Sequence, residues 1–551
     1  MAIPVPSDRS DSAETRRRVP LPALASLALF VGLAILHTWP LASAPATLSR
    51  NDTADTILHE WIMAWVAHQV VTDPWHLFDA NIFFPERHTL AYSDHLFVQS
   101  MMGAPMLWAG ASPVLVHNLV LMAGLALTGW TTCLVVSRWT GRWLAGIVGG
   151  CLVAFNAFTL TRLPQIQDLH FEFFPLALFA FDRLLVHART RHALELALWF
   201  VLQSLTGTYL MVFTTISLAV AAMARPHEWV GPQFKVLAPR IALAAAVAVV
   251  VLLPFMLPYY FARETVGLGR SLEETQRYSA RFTDYLVAPG TFYFEWWGWG
   301  KRYWAGSALF PGVAALLLAG FGIAAGGWSD RRARMVLFIG IAAFALSFGP
   351  AFPPYRWLYQ VFPPLTGIRG AVRLGQIVLA ALGILAGFGI AAIQRRFSGR
   401  RALAVCSLLL VTANLEALRA PLYYSEYRGI PPVYDALDRL DRRAVLAWFP
   451  FYASPQFHQN APFMLVSTRS FHRMLNGYSG FKPASYYEHV EKLAAFPDEG
   501  SVKYLQQLGV TVALVDGRNM LPGNLERLAQ YPDLSLWTTD GNLRIYLIAP
   551  D

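Results

Sequence analysis

Long apolar runs almost free of charge return along most of the chain, and that repetition leaves few folds open. They lie at about 19–41, 113–137, 143–160, 171–187, 193–206, 208–224, 241–261, 305–328, 335–350, 371–394 and 402–422, eleven in all. A membrane-crossing helix needs about 20 mainly apolar residues, so this pattern predicts a polytopic helical bundle. Several runs are short for a span and are expected to tilt or to face lipid only in part. Only 14% of the 551 residues are charged and mean hydropathy is +0.40. Soluble domains carry about 25% charged residues, which excludes a single soluble enzyme, a coiled coil or a disordered chain. The net charge of +9 does not signal nucleic acid, because the 44 basic residues are spread over the N-terminal tail, the loops between apolar runs and the C-terminal part. A nucleic-acid surface would gather them on one soluble face. Cys133, Cys151 and Cys406 each lie inside an apolar run and form no metal or disulfide motif.

The loops give the orientation. Cytoplasmic loops are enriched in Lys and Arg. With eleven spans and the N-terminus inside, the inner segments 1–20, 137–143, 183–192, 225–240, 329–335 and 395–401 hold 19 basic residues. The first outer loop, 41–112, holds only Arg50 and Arg87 against seven acids. The apolar stretch 96–110 is therefore expected to be a re-entrant or interfacial helix, because a further crossing there would move every later basic loop outside. Residues 1–20 end in Arg16-Arg17-Arg18 with no distinct cleavage site, so the run from Leu21 is expected to be a retained first helix.

The expected fold is mainly α: a basic cytoplasmic tail over 1–20, then a transmembrane domain over 21–422 with outer loops 41–112 and 262–304. A soluble extracytoplasmic α/β domain over 423–551 follows. Within it, Ala444–Phe449 and Thr511–Val515 read as strands, with a helix around Val502–Leu508. A hairpin is expected to turn at Asp540-Gly541-Asn542. The excess of Arg over Lys points to a G/C-rich bacterial genome, and hence to a bacterial inner membrane.

Chemistry-bearing residues gather in the outer segments. Asp52 and Asp55 open loop one, before a helix expected from Thr56 to about Val71 that would lie along the membrane surface on Trp61 and Trp65. Two uses are open: Asp52 caps that helix with Asp55 in its first turn, or one of these carboxylates is a general base. Asp168-x-His170-x-Glu172 sets oxygen, nitrogen and oxygen at alternate positions. If extended, they share one side and suit a divalent cation of the Mg, Mn or Zn type; otherwise they form a hydrated polar turn. Arg369 and Arg373 break the positive-inside pattern at the outer mouth of a late span. Their planar forks suit a lipid-linked phosphate, and snorkelling to headgroups is the plainer use. In loop 262–304 the aromatic run with Trp296 and Trp297 is either an interfacial belt or a sugar-stacking wall, with Lys301 nearby for an anionic group.

Taken together, these features resemble the GT-C superfamily of membrane glycosyltransferases: an N-in first span, a long outer loop with an early Asp, and a second acidic motif in the next outer turn. Phrases such as Ile82-Phe83-Phe84-Pro85, Gly367-Ile368-Arg369-Gly370-Ala371-Val372-Arg373 and Asn476-Gly477-Tyr478-Ser479-Gly480-Phe481 are similar to those of bacterial GT-C-like membrane proteins. The resemblance implies a polyprenyl-phosphate-linked sugar as donor and a hydroxyl of a glycan, lipid or protein as acceptor. Asp52 would be the base with Asp55 in reserve. Asp168, His170 and Glu172 would hold a metal or the leaving phosphate, and Arg369 and Arg373 would take the phosphate charge. The chain departs from the best-known members in lacking a tight acidic pair in loop one. Two other functions fit the same layout: a flippase or transporter of lipid-linked sugars, and a non-catalytic partner in cell-envelope glycan assembly.

Overall fold

The computed structural model of the chain describes residues 21–50, 53–293, 308–397, 399–521 and 523–550. Each of the eleven apolar runs contains helix among the described residues: Leu21–Thr38, Pro113–Thr140, Trp143–Ala154 followed by Ala157–Thr161, Phe173–His187, Thr190–Thr206, Thr208–Met223, Pro232–Val266, Val313–Gly322, Arg331–Ser347, Gly375–Arg396 and Gly399–Ala417. By length and composition, five helical stretches among the described residues are able to cross a membrane: Leu21–Thr38, Pro113–Thr140, Trp143–Thr161, Pro232–Val266 and Ala371–Arg396. Thr208–Met223 and Val313–Gly327 are shorter apolar helices.

The Gly375–Arg396 helix runs through the middle of the bundle against Trp143–Ala154, Val313–Gly322 and Arg331–Ser347. Glycines permit that approach. A Cβ at Gly387 would stand 3.0 Å from the Ala145 carbonyl oxygen, and one at Gly149 3.2 Å from that of Gly383. Gly383 and Gly387, four apart on the central helix, lie against Val153 and Ala145, while Gly146 and Gly150, also four apart, lie against Cys133 and Gly129 of the Pro113–Thr140 helix, the close backbone packing that membrane helices favour.

The segments expected at the inner face gather at one end. There Arg225 and Arg332 both pair with Asp182, at 2.6 and 2.9 Å, and Arg225 also binds Glu228. Loop one, the 162–172 turn and the C-terminal domain meet at the other end.

Loop one departs from expectation. Its first helix spans Ala54–Thr72, but Trp61, Ile62, Met63 and Val66 are fully buried instead of lying on a membrane surface. Apolar side chains occur all round this helix, so no single face suffices to bury them. The helix Phe97–Trp108 covers one side, and the C-terminal helix Ala461–Ser467 packs on it from elsewhere in the chain. At 12 residues, Phe97–Trp108 reaches about 18 Å, too short for a crossing. The Pro232–Val266 helix runs past its expected end, so loop 262–304 opens at Gly267.

A two-stranded ladder ties the loop to the C-terminal part: β1 (Leu48–Ser49) pairs antiparallel with β2 (Ser425–Glu426). The remaining strands are β3 (Val445–Phe449), β4 (Arg473–Met474), β5 (Val512–Asp516), β6 (Leu534–Asp540) and β7 (Leu543–Ile548). They form one sheet in the order β4-β3-β5-β7-β6, with β3 parallel to both neighbours and the β6–β7 hairpin antiparallel. Strand β4 is not a free edge. Loop one lies along it, with Met474 N donating to Asn81 O (2.8 Å), Phe84 N to Met474 O (3.0 Å) and Phe83 N to Asn476 O (3.2 Å). The phrases Ile82–Pro85 and Asn476–Phe481 are thus the two halves of one joint.

Candidate functional site

Side chains from four distant segments converge where the 162–172 turn meets loop one and the C-terminal domain. Asp55 stands in the first turn of the Ala54–Thr72 helix, where the helix dipole favours a carboxylate. The helix begins after Thr53, which occupies the N-cap position expected for Asp52. Asp52 itself lies outside the described residues, as do Trp296, Trp297 and Lys301. Asp55 Oδ2 accepts from Gln165 Nε2 at 3.0 Å, and its Oδ1 accepts from the Tyr478 hydroxyl at 2.9 Å.

Burial alone would push the Asp55 carboxyl up. The opposing influences win: the electrostatic influence of His59, the hydrogen bonds of Gln165 and Tyr478, and the Arg373 charge together hold it below the usual carboxylate range. His59, one turn further on, is completely enclosed, with Nδ1 2.9 Å from the Pro164 carbonyl oxygen. Burial lowers its affinity for a proton despite Asp55 nearby, so the imidazole is neutral at pH 7 and donates to Pro164. The Tyr478 phenol is pushed up, by burial and by the Asp55 charge, which keeps it a donor.

The acidic motif does not make a single cluster. Asp168 lies in the short helical turn Ile166–Leu169, so the alternation that an extended segment would give is lost. Its carboxylate faces Arg373 at 3.6 Å, and its backbone carbonyl accepts from Gln376 at 2.7 Å. His170 turns the other way, with Nδ1 2.9 Å from Glu172 Oε1 and Nε2 3.1 Å from the Val120 carbonyl oxygen. Both ring nitrogens are therefore engaged. Gly124 makes room for this ring, since a Cβ there would stand 2.7 Å from His170 Nε2. Among the described residues no group of three or more His, Cys, Asp or Glu side chains is arranged to hold a metal ion. The expected Asp168, His170 and Glu172 ligand set is split instead into an Asp168–Arg373 pair and a His170–Glu172 pair, and no chemical step is derived through a metal.

The two arginines of the late motif come together. Arg373 lies 4.6 Å over the Tyr209 ring and Arg369 4.6 Å over Tyr278, while the Tyr209 hydroxyl accepts from Arg369 N at 2.9 Å. Arg369 is exposed, so one guanidinium opens to solvent while the other is held against Asp168. Arg162 adds a third cation beside them; burial and the Arg373 charge pull it down to about 10, still positive at neutral pH. Arg270 closes the rim, 3.7 Å over the Phe481 ring and 3.2 Å from the Gly480 carbonyl oxygen. Asp94 caps the helix that carries Tyr209, accepting from Thr208 N at 2.8 Å and Thr208 Oγ1 at 2.6 Å. Sequence reasoning gave no role to Asp94, Tyr209, Arg270 or Tyr478. The phrase around Tyr478 stood out, but its partner is 423 residues away in the chain.

No family profile and no curated protein matches the chain. Among solved structures it is similar to the oligosaccharyltransferase AglB of Archaeoglobus fulgidus, in complex with an inhibitory peptide and a dolichol-phosphate. That match has 12% identity and a TM-score of 0.43, over 95% of this chain and 74% of that one. ArnT of Cupriavidus metallidurans bound to undecaprenyl phosphate matches at 12% identity and TM-score 0.42, over 95% and 96%. The arabinosyltransferase EmbB of Mycobacterium smegmatis matches at 12% and 0.37, over 97% of this chain and 47% of that one. The neighbours carry the same class of name that the sequence resemblance evoked.

Proposed function

We propose that the chain is an inverting glycosyltransferase of the cytoplasmic membrane, with eleven spans, its N-terminus inside and its C-terminal domain outside. It moves a sugar from a polyprenyl phosphate to a hydroxyl of a glycan, lipid or protein. The observation that carries this reading is the placement of an ionised, doubly hydrogen-bonded Asp55 beside a cluster of arginines at the expected outer mouth of the bundle. A carboxylate that stays charged can accept the proton of an attacking hydroxyl. Arg373 and Arg369 present fixed and open guanidinium groups to the phosphate of the donor, and charge developing on the leaving phosphate is stabilised by cations already in place. Attack from the face opposite that phosphate inverts the anomeric centre. One base is enough, because the phosphate leaves as a stable anion. Trp296 and Trp297 are assigned to the sugar and Lys301 to an anionic group of the substrate, while Asp52, expected from the sequence as the base with Asp55 in reserve, becomes the alternative to Asp55.

The test uses the full chain in lipid nanodiscs with a panel of polyprenyl-phosphate sugars and crude cell-envelope acceptor. Wild type is expected to release free polyprenyl phosphate. Asp55→Asn should lower that release by about 100-fold or more, the scale of a lost general base, and Asp52→Asn should retain most of it. The reverse ranking would move the base to Asp52, and a chelator arm reports on any divalent metal. Donor binding without release by wild type would sink the transferase reading in favour of a flippase or a non-catalytic partner.

A further inference from the structure

We propose that Tyr478, delivered by the C-terminal domain, is a positioning residue for the base: its hydroxyl, with Gln165 opposite, fixes the orientation of the Asp55 carboxylate. This rests on the reading of Asp55 as the base. The two donors take different oxygens of the same carboxylate, Tyr478 on Oδ1 and Gln165 on Oδ2. An ionised carboxylate has about four lone-pair sites, so two remain for the proton of an incoming hydroxyl.

Tyr478 is itself held on several sides. Its backbone N–H donates to Met464 Sδ at 3.1 Å, and its ring lies 5.4 Å from that of Phe457. On one side of it Gly477 abuts Phe83, where a Cβ would stand 2.7 Å from the ring, and on the other Gly480 abuts the Tyr92 carbonyl oxygen. Arg270 clamps Gly480 and Phe481 from the bundle. A hydroxyl anchored this way sits at one place relative to loop one, and the carboxylate inherits that placement. The charged and titratable groups facing this pair are His59 from the same helix as Asp55, Arg162 and Asp168 from the 162–168 turn, Arg373 from the start of the central helix, and Arg369 beside Tyr478. None of them is altered by removing the phenolic oxygen.

The decisive measurement is the pH profile of kcat/KM for wild type, Tyr478→Phe and the chain carrying 3-fluorotyrosine at 478, with Asp55→Asn as control. Activity falls on the acid side as Asp55 takes up a proton. Losing a donor to the charged form raises the pH of that fall, so Tyr478→Phe should move the acid limb up by about one pH unit with the donor KM unchanged. The stronger donor, 3-fluorotyrosine, should move it down. A uniform drop in kcat with both limbs in place would overturn the proposal and leave Tyr478 a packing residue. If Tyr478→Phe does not fold, the 3-fluorotyrosine limb decides alone. Should Asp55→Asn keep full turnover, the base assignment itself fails. An inactive Asp55→Asn with unmoved Tyr478 limbs overturns only the present inference.

Discussion

Asp55 and Asp168 are the residues at which chemistry was most nearly legible in the sequence, and the partners of each come from segments that local spacing could not name. The spacing of 168, 170 and 172 puts three ligands together only if the backbone is extended, and a single helical turn at Ile166–Leu169 sends Asp168 to Arg373 and His170 to Glu172. Asp55 looked like a first-turn acid favoured by the dipole, which it is, but Gln165 and Tyr478 make it more than that. Its depressed pKa contributes stability that is present above the ordinary carboxylate range and is lost as pH falls through the lowered value. The opposite end of the bundle holds the pair with the plainest structural consequence. Asp182 is 1% exposed and supports both Arg225 and Arg332, so Asp182→Ala leaves Arg225 buried with Glu228 as its remaining carboxylate beside the Met335 sulfur. A loss of about 3–5 kcal/mol is expected, the usual cost of breaking a buried ion pair. Thermal unfolding in detergent checks it, and an unchanged Tm would show that the pair contributes nothing net.

Single elements were the best-read scale. Among the described residues each apolar run contains helix, because a long uninterrupted apolar segment has one economical way to satisfy its backbone away from water. Strands β3, β5, β6 and β7 also lie where alternation and turn residues put them. The misreading was of the Ala54–Thr72 helix, whose apolar surface looked like a membrane-facing one. What covers it is Ala461–Ser467, and no local pattern can name a partner 400 or so residues away. The joint between Ile82–Pro85 and Asn476–Phe481 gives a prediction at this scale. Gly477→Ala forces a Cβ against the Phe83 ring, and overpacking of that kind costs about 1–3 kcal/mol. The joint should loosen while the bundle stays folded. Limited proteolysis ought to cut the variant faster within 423–551 than wild type, and equal rates would show that Phe83 simply moves aside.

At the scale of the whole molecule, the division at residue 423 marks a change of composition but not a separable body. One apolar core runs from Trp61, Phe83 and Tyr92 of loop one through Met474, Tyr486 and Leu514 of the C-terminal part. A second core, with Phe449, Leu505 and Ala513, draws its buried residues from the C-terminal part, and Phe84 of loop one packs against it. Residues 423–551 expressed by themselves should therefore keep helix and strand signals yet bind ANS and give poorly dispersed NMR spectra. A sharp, dispersed spectrum would mean that the sheet needs no help from loop one. The strand that loop one lays along β4 also sets an order of events during synthesis. Asp55 leaves the ribosome 423 residues before Tyr478. At about 5–20 residues per second this is an interval of roughly 20 to 80 s. Until then the carboxylate has neither its phenol nor its roof, and every shorter nascent chain carries an unfinished pocket. A premature stop between Ala417 and Tyr478 thus yields the bundle helices without a complete site, so translation through Tyr478 doubles as the licensing step.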